Sequence, residues 1–296
     1  MDLFSMNPLS ILSLRNMEHT QYKMIVFDLD GTLLTKDFRL LPCTIKAVNE
    51  LKLLGLRVSV ATGRSYLSAK PFLDSLKIIE PMVFSNGAVF DNPETGFREL
   101  LMGIPLEAAI IIILLHQQYH LSLKAHMADG RILKSNDTPW PNEGTHFVAG
   151  DITPNLQSKL DEGPIKMVLH GDEKIMIEFV EHAIKILGNR SSVRFFRSHH
   201  DYYEISNSQI SKGGALLTLV KKLGISPEEV ITVGDQENDF EMLRDFGIGI
   251  MAGDTSDKLR EVAQYQISTP ENNGIDELVK IIKRLNAPKP TLPTSN

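Results

Sequence analysis

The stretch from Lys23 to Leu34 constrains the fold most. Four apolar residues, Met24 to Phe27, run without alternation into Asp28-Leu29-Asp30-Gly31-Thr32-Leu33-Leu34. A short, unalternating apolar run rich in β-branched and aromatic residues suits a strand buried on both faces of a parallel sheet. It ends directly in two carboxylates. In open α/β sheets, ligands bind at that carboxyl edge, at a topological switch point. Asp28 and Asp30 repel each other unless a hard divalent cation intervenes, and Mg²⁺ needs only one or two carboxylates plus waters and phosphate oxygens. A carboxylate beside Mg²⁺ can also attack phosphorus, while a second trades a proton with the leaving oxygen. Gly31 allows a sharp turn close to a ligand. Taken alone, the same residues also fit an Asp-Gly hairpin turn.

The alternation continues. Pro42 to Leu54 reads as a helix stopped by Gly55, with an apolar stripe of Ile45, Val48, Leu51 and Leu53–Leu54. Leu56 to Ala61 reads as a strand ending in Thr62-Gly63-Arg64. Ser65 to Leu76 reads as a helix interrupted or kinked at Pro71, and Pro81 to Phe84 as a third strand ending in Ser85-Asn86-Gly87-Ala88. This order predicts a parallel sheet with right-handed crossovers, the polar strand ends meeting at one edge. It returns after Ser211, with a helix opened by Lys212-Gly213-Gly214 and a buried-type strand, Val230 to Val233, running into Gly234-Asp235-Gln236-Glu237-Asn238-Asp239. A strand at Ile248 to Met251 and helices at Ser256 to Ala263 and Ile275 to Leu285 complete it.

Between these halves, 88–208 has another texture. Val89-Phe90, Leu121 to His126, Ile165 to Leu169, Val193 to Phe196 and Tyr202 to Ile205 read as strands. Pro105 to Tyr119, Pro154 to Leu160 and Glu173 to Leu187 read as helices. Asp129 to Thr153 reads as a loop. The expected organisation is a discontinuous core of 21–87 plus 209–286, an inserted α+β domain at 88–208, a disordered extension at 1–20 and a disordered tail at 287–296.

The 296 residues exceed what one small core needs, so no disulfide or metal staple is required. The single cysteine, Cys43, excludes an intrachain disulfide and a cysteine-rich zinc site, and fits a reducing compartment. A net charge of −6 argues against nucleic-acid and anionic-membrane partners. The longest apolar run, Ala108 to Leu115, is too short to span a bilayer and reads as a helix under the inserted sheet. The first twenty residues lack a charged start and a long apolar centre, so they do not read as a signal peptide, and the expected location is cytoplasmic. His199 and His200 point to opposite faces of a strand and cannot share a metal.

Taken together, D-x-D-G-T-L (Asp28 to Leu33), A-T-G-R (Ala61 to Arg64), S-N-G-A (Ser85 to Ala88), S-K-G (Ser211 to Gly213) and G-D-x-x-N-D (Gly234 to Asp239) resemble the haloacid dehalogenase (HAD) superfamily, specifically Cof-type phosphatases with a class IIB cap. The resemblance covers about residues 23–285. It implies an α/β fold: a Rossmann-like parallel sheet core carrying an inserted α+β cap. It implies that Asp28 becomes an aspartyl phosphate, that Asp30 protonates the leaving group and then activates water, and that Thr62 and Lys212 hold the transferring phosphoryl group. Mg²⁺ would be held by Asp28, the Asp30 carbonyl and Asp235, with Asp239 as ligand or support. Leu29, Gly31, Gly63, Arg64, Asn86 and Asn238 are the further phosphate- or substrate-binding candidates. For Arg64 an ion pair, and for Asn86 a plain turn, are equal alternatives. Where the family often has G-N-A, this chain has Gly253-Asp254-Thr255, beside the site.

The implied activity is hydrolysis of small phosphorylated metabolites, a sugar phosphate first and flavin mononucleotide or pyridoxal phosphate next. Phosphomutase chemistry and a catalytically silent phospholigand-binding regulator are the alternatives. A monomer and a homodimer are both compatible. Trp140, Tyr202 and Tyr203 could stack on a substrate ring or serve the core.

Overall fold

The computed structural model describes residues 22–136, 138, 140, 150–188, 192–199 and 202–285. The expected extension at 1–20, the tail at 287–296 and His200 lie outside the described residues. In chain order, the first elements are β1 (Met24–Phe27), α1 (Pro42–Leu53), β2 (Arg57–Val60), α2 (Tyr66–Leu76), β3 (Met82–Phe84), β4 (Val89–Asn92) and β5 (Phe97–Leu100). There follow α3 (Leu106–Gln118), β6 (Ser122–His126), β7 (Ile132–Lys134), β8 (Asp151–Ile152), β9 (Lys166–His170), α4 (Glu173–Leu187), β10 (Val193–His199) and β11 (Tyr202–Asn207). The last are α5 (Lys212–Lys222), β12 (Val230–Gly234), α6 (Phe240–Arg244), β13 (Ile248–Ala252), α7 (Asp257–Val262), β14 (Tyr265–Ile267) and α8 (Gly274–Leu285). They form two compact units, one of residues 22–60 and 220–285, the other Ala61–Leu219.

The first unit holds a five-stranded sheet in the order β14-β13-β12-β1-β2, with every pair parallel. Every residue of β1, β12 and β13 is buried, as strands covered on both faces require. The chain leaves β1 toward β2 on one side and returns to β12 on the other, so the strand order reverses beside β1. Helix α8 shows why its sequence packs. Ile275, Leu278, Val279 and Ile282 fall at helical spacing and are buried, each such burial contributing about 1.5–3 kcal/mol. Asp276 and Glu277 lie in its first turn, and Lys283 and Arg284 in its last, complementing the helix dipole. Lys283 reaches Glu50 of α1 in an ion pair.

The second unit holds two sheets. A three-stranded antiparallel sheet has the order β3-β4-β5, and a six-stranded sheet the order β10-β11-β9-β6-β7-β8. The larger sheet is antiparallel except between β7 and β8. Leu123 and Ala125 of β6, Met167 and Leu169 of β9 and Ile205 of β11 pack with Ile112 and Ile113 of α3 and Phe179 of α4. Side chains alternate along a strand, so Lys124, His126, Lys166 and Glu204 stand on the opposite face. The Ala108 to Leu115 run lies within α3, inside this core.

Four local expectations change. The third strand, β3, joins the parallel order only through an isolated bridge, Ala61 to Val83. Its full partner is the antiparallel β4, because positive φ at Ser85, Asn86 and Gly87 turns the chain back on itself. The helix α2 runs through Pro71, with Ser65 capping it by accepting the Ser68 amide (3.4 Å). The segment Asp129 to Thr153 is not simply a loop, since it contains β7 and β8; Asp129-Gly130, a hairpin signal, turns β6 into β7. Pro154 to Leu160 forms only a short 3₁₀ turn, Leu156–Lys159. Among the described residues, no helix is long and apolar enough to cross a membrane.

Candidate active site

In the first unit, the ends of β1 and β12 carry the acids. The Asp28 amide donates to the Val233 carbonyl (2.9 Å), so parallel pairing carries Asp28 to the sheet's edge. The chain then closes on itself: the Leu29 carbonyl accepts the amides of Leu33 (3.0 Å) and Leu34 (2.8 Å), and the Gly31 amide reaches the Leu34 carbonyl (3.0 Å). Gly31 has a φ of 82°, and a β-carbon there would lie 2.2 Å from Asp235 Oδ2. Both facts demand glycine.

The Asp235 loop is held just as tightly. Thr32 Oγ1 donates to Asp235 Oδ1 (3.0 Å), and the Thr255 hydroxyl donates to the Asp235 carbonyl. Asp239 Oδ2 accepts the amides of Asp235 (3.0 Å) and Gln236 (3.1 Å). A β-carbon at Gly234 would lie 2.5 Å from Asp239. Asp28, Asp235 and Asp239 are all buried and offer carboxylate oxygens within 4.8 Å of one another. Three buried carboxylates this close could hold a cation, and an all-oxygen donor set suits Mg²⁺. The residues therefore fit the ion that the motifs imply. Asp30 is half-buried and its side chain is not part of this cluster; Asn238 is exposed. Asp254, the departure from the family pattern, pairs with Arg260.

The second unit holds Thr62, Gly63, Arg64, Asn86 and Lys212 of the expected phosphate-binding residues, while Leu29, Gly31 and Asn238 lie in the first. Thr62 is fully buried, its Oγ1 accepting the Arg64 amide (3.1 Å) and its carbonyl the Asn86 amide (3.0 Å). A β-carbon on Gly63 would stand 3.1 Å from the Asn86 side chain. Arg64 is buried, donates to Ser68 Oγ (3.2 Å) and lies 5.1 Å from the Phe72 ring centroid. Gly87, at φ 106°, lets the Ser85–Gly87 turn press against the Ser211 carbonyl, where a β-carbon would come within 2.3 Å. Ser211 Oγ accepts the Gly214 amide (3.1 Å), the capping bond of α5. Lys212, first in that helix, is 1% exposed, a rare state for an ammonium group. Its burial makes a solvated surface lysine untenable.

Sequence reasoning gave no role to Thr32, Thr255 or Lys166. Thr32 stands inside the first motif and could have been read from it. Lys166 Nζ donates to the Gly63 carbonyl (3.4 Å) and pairs with Glu204 (3.1 Å), and no motif marks it. Trp140 and Tyr202 stack on each other, with centroids 5.7 Å apart, and Tyr203 packs against the helix-covered core.

A profile of haloacid dehalogenase-like hydrolases matches residues 25–279. The chain is 25% identical over 267 residues to 5-amino-6-(5-phospho-D-ribitylamino)uracil phosphatase YitU of Bacillus subtilis, covering 88% of this chain and 97% of that one. It is 24% identical over 268 residues to pyridoxal phosphate phosphatase YbhA of Escherichia coli, covering 87% and 97%. In fold it is similar to a haloacid dehalogenase-like hydrolase from Bacteroides thetaiotaomicron, with a TM-score of 0.81 at 23% identity, covering 88% of this chain and all of that one. The expected α/β fold is therefore the observed one, and the chain belongs to the haloacid dehalogenase-like hydrolase family, as a phosphoric monoester hydrolase.

Proposed function

We propose that this phosphatase uses Mg²⁺ and an aspartyl phosphate on Asp28, with sugar phosphates as its leading substrates and flavin mononucleotide or pyridoxal phosphate next. The observation that carries the reading is the buried cluster of Asp28, Asp235 and Asp239, ordered by Thr32 and by two backbone amides. YitU acts on a phosphoribityl compound and YbhA on pyridoxal phosphate, as their names state, which supports this range of substrates.

In the first step a carboxylate oxygen of Asp28 bonds to phosphorus as the bond to the leaving oxygen breaks, and Asp30 gives that oxygen its proton. In the second, Asp30 takes a proton from water, whose oxygen bonds to phosphorus as the bond to Asp28 breaks. The products are an alcohol and inorganic phosphate, and both acids return to their starting states. Thr62 and Lys212 balance the phosphoryl oxygens, helped by the amides near Leu29, Gly31 and Gly63; Asn86, Asn238 and Arg64 orient substrate. Asp28, the Asp30 carbonyl and Asp235 would hold Mg²⁺, with Asp239 in support. When bound, the ion supplies positive charge to the phosphoryl group. Residues 88–208 serve as the substrate-selecting insertion.

The test is phosphate release across sugar phosphates, nucleotides, flavin mononucleotide and pyridoxal phosphate, with Mg²⁺ and with chelator. Release that stops with chelator supports the reading. Release that survives in metal-free protein, or in purified Asp28→Asn, overturns it.

A further inference from the structure

The second unit contains an open surface cleft. One side is the start of α2, with Ser65 and Tyr66; the other is the turn from His126 to Ile132; Phe84 and Ser85 complete it. It adjoins the expected phosphate loop, since Ser65 follows Arg64 and the Ser85 amide donates to the Arg64 carbonyl (2.9 Å).

Two polar atoms of residues lining this cleft, Ser85 Oγ and His126 Nδ1, are buried and have no hydrogen-bond partner among the described residues. Buried polar groups are nearly always bonded, so two orphans in one cleft mark a place where something else supplies the bonds. Ser85 is 2% exposed and is held at φ 52°, a conformation seldom adopted by residues other than glycine and concentrated at ligand sites.

The chemistry of the lining narrows the ligand. Burial, reinforced by the Lys166 and Lys124 ammonium groups, pushes the His126 imidazole well below its usual range, so it is neutral. A neutral imidazole and a serine hydroxyl can each donate or accept. The cleft's two guanidinium groups are already engaged: Arg98 with Asp91 (2.7 Å), Arg131 with Asp129 and Asp161. The remaining walls include the apolar Phe84 and Met127. This set matches a hydroxyl-bearing carbon skeleton better than a second anionic group.

We infer that the cleft is the subsite for a polyhydroxylated leaving group, in which Ser85 Oγ and His126 Nδ1 each bind a hydroxyl of a phosphorylated sugar or polyol. The inference rests on the phosphatase reading above and adds to it the residues that select the substrate.

The experiment compares kcat/KM of the full chain for glucose 6-phosphate, ribitol 5-phosphate, their mono-deoxy analogues and p-nitrophenyl phosphate. At least one deoxy analogue should lose about tenfold or more. Ser85→Ala and His126→Phe should each lose about tenfold or more on the parent, mainly through KM, yet under about twofold on the analogue lacking the matching hydroxyl. Equal losses on parent, analogue and p-nitrophenyl phosphate, or no loss, overturn the subsite. The deoxy series on the unmodified chain decides the matter even if one variant fails to fold. Calorimetric binding of the two polyol phosphates to Asp28→Asn separates the two readings. Turnover without hydroxyl discrimination removes the subsite and leaves the phosphatase. Binding weakened about tenfold by Ser85→Ala, with no turnover of any compound, keeps the subsite and removes the phosphatase mechanism.

Discussion

The two larger sheets differ in what they hide. The parallel sheet of β14-β13-β12-β1-β2 buries both faces of its central strands, so only the strand ends are open to chemistry. The six-stranded sheet covers one face with α3 and α4, and its other face carries Lys124, His126, Lys166 and Glu204. In the first, the backbone brings the reacting groups together, and few residue types fit there. In the second, polar and charged side chains stand along the face that α3 and α4 leave uncovered, with Lys124 buried against the Trp140 ring. Under the proposed function, reactivity belongs to the strand ends and selectivity to the sheet face.

The sharpest way to break that division is Asp28→Asn. It removes the proposed nucleophile at a strand end and changes no volume, so phosphate release should fall by about 10³-fold or more while the thermal midpoint holds. An equally large, substrate-independent loss from Lys166→Met on the sheet face, where Lys166 meets Glu204, would erase the division.

Gly31→Ala attacks the strand end through the backbone. At φ 82°, with Asp235 Oδ2 at 2.2 Å from the added carbon, the substitution should cost about 1–3 kcal/mol in urea unfolding. Affinity for Mg²⁺ should fall with it. Unchanged stability would mean that the loop after β1 yields freely, against the close packing described. Thr32→Val is gentler: it keeps the shape and removes the bond to Asp235 Oδ1. Calorimetry should show Mg²⁺ binding weakened about 10–100-fold, as for other groups that orient a metal ligand. Intact Mg²⁺ affinity would show that Asp235 is oriented by the rest of its loop alone.

This contrast also explains what could be read in advance. Asp28, Thr62, Lys212 and Asp235 each follow a buried strand or open a helix, and those contexts have strong signatures: an unalternating apolar run, then a small or polar residue. Local periodicity located α1, α4 and α8 closely for the same reason. The strands β7 and β8 escaped because three and two residues are too short for a period. The pairing of β3 escaped because it depends on positive φ at Ser85 and Asn86, and neither residue type declares it. The orphaned Ser85 and His126 atoms could not be foreseen at all, since a missing partner exists only in three dimensions.

The smallest effect concerns His126, which sits on the face opposite α3 and α4 and is held neutral by burial and by Lys166 and Lys124. Its folded value lies below the ordinary 6.5, so between the two the unfolded chain binds a proton that the folded chain refuses. Its contribution is thus fully present above pH 6.5 and is lost as pH falls below it. One such proton gives a slope of at most about 1.4 kcal/mol per pH unit. His116, lowered mainly by its own burial, adds a slope of the same sign. Replacing His126 with glutamine should therefore flatten, without abolishing, the decline in stability between about pH 6.5 and pH 5, measured by urea unfolding at several pH values. A parent and variant with parallel pH profiles would mean that His126 takes up its proton as readily folded as unfolded. That face would then be wet and hold no neutral imidazole, unlike the buried strand ends at Asp28 and Asp235.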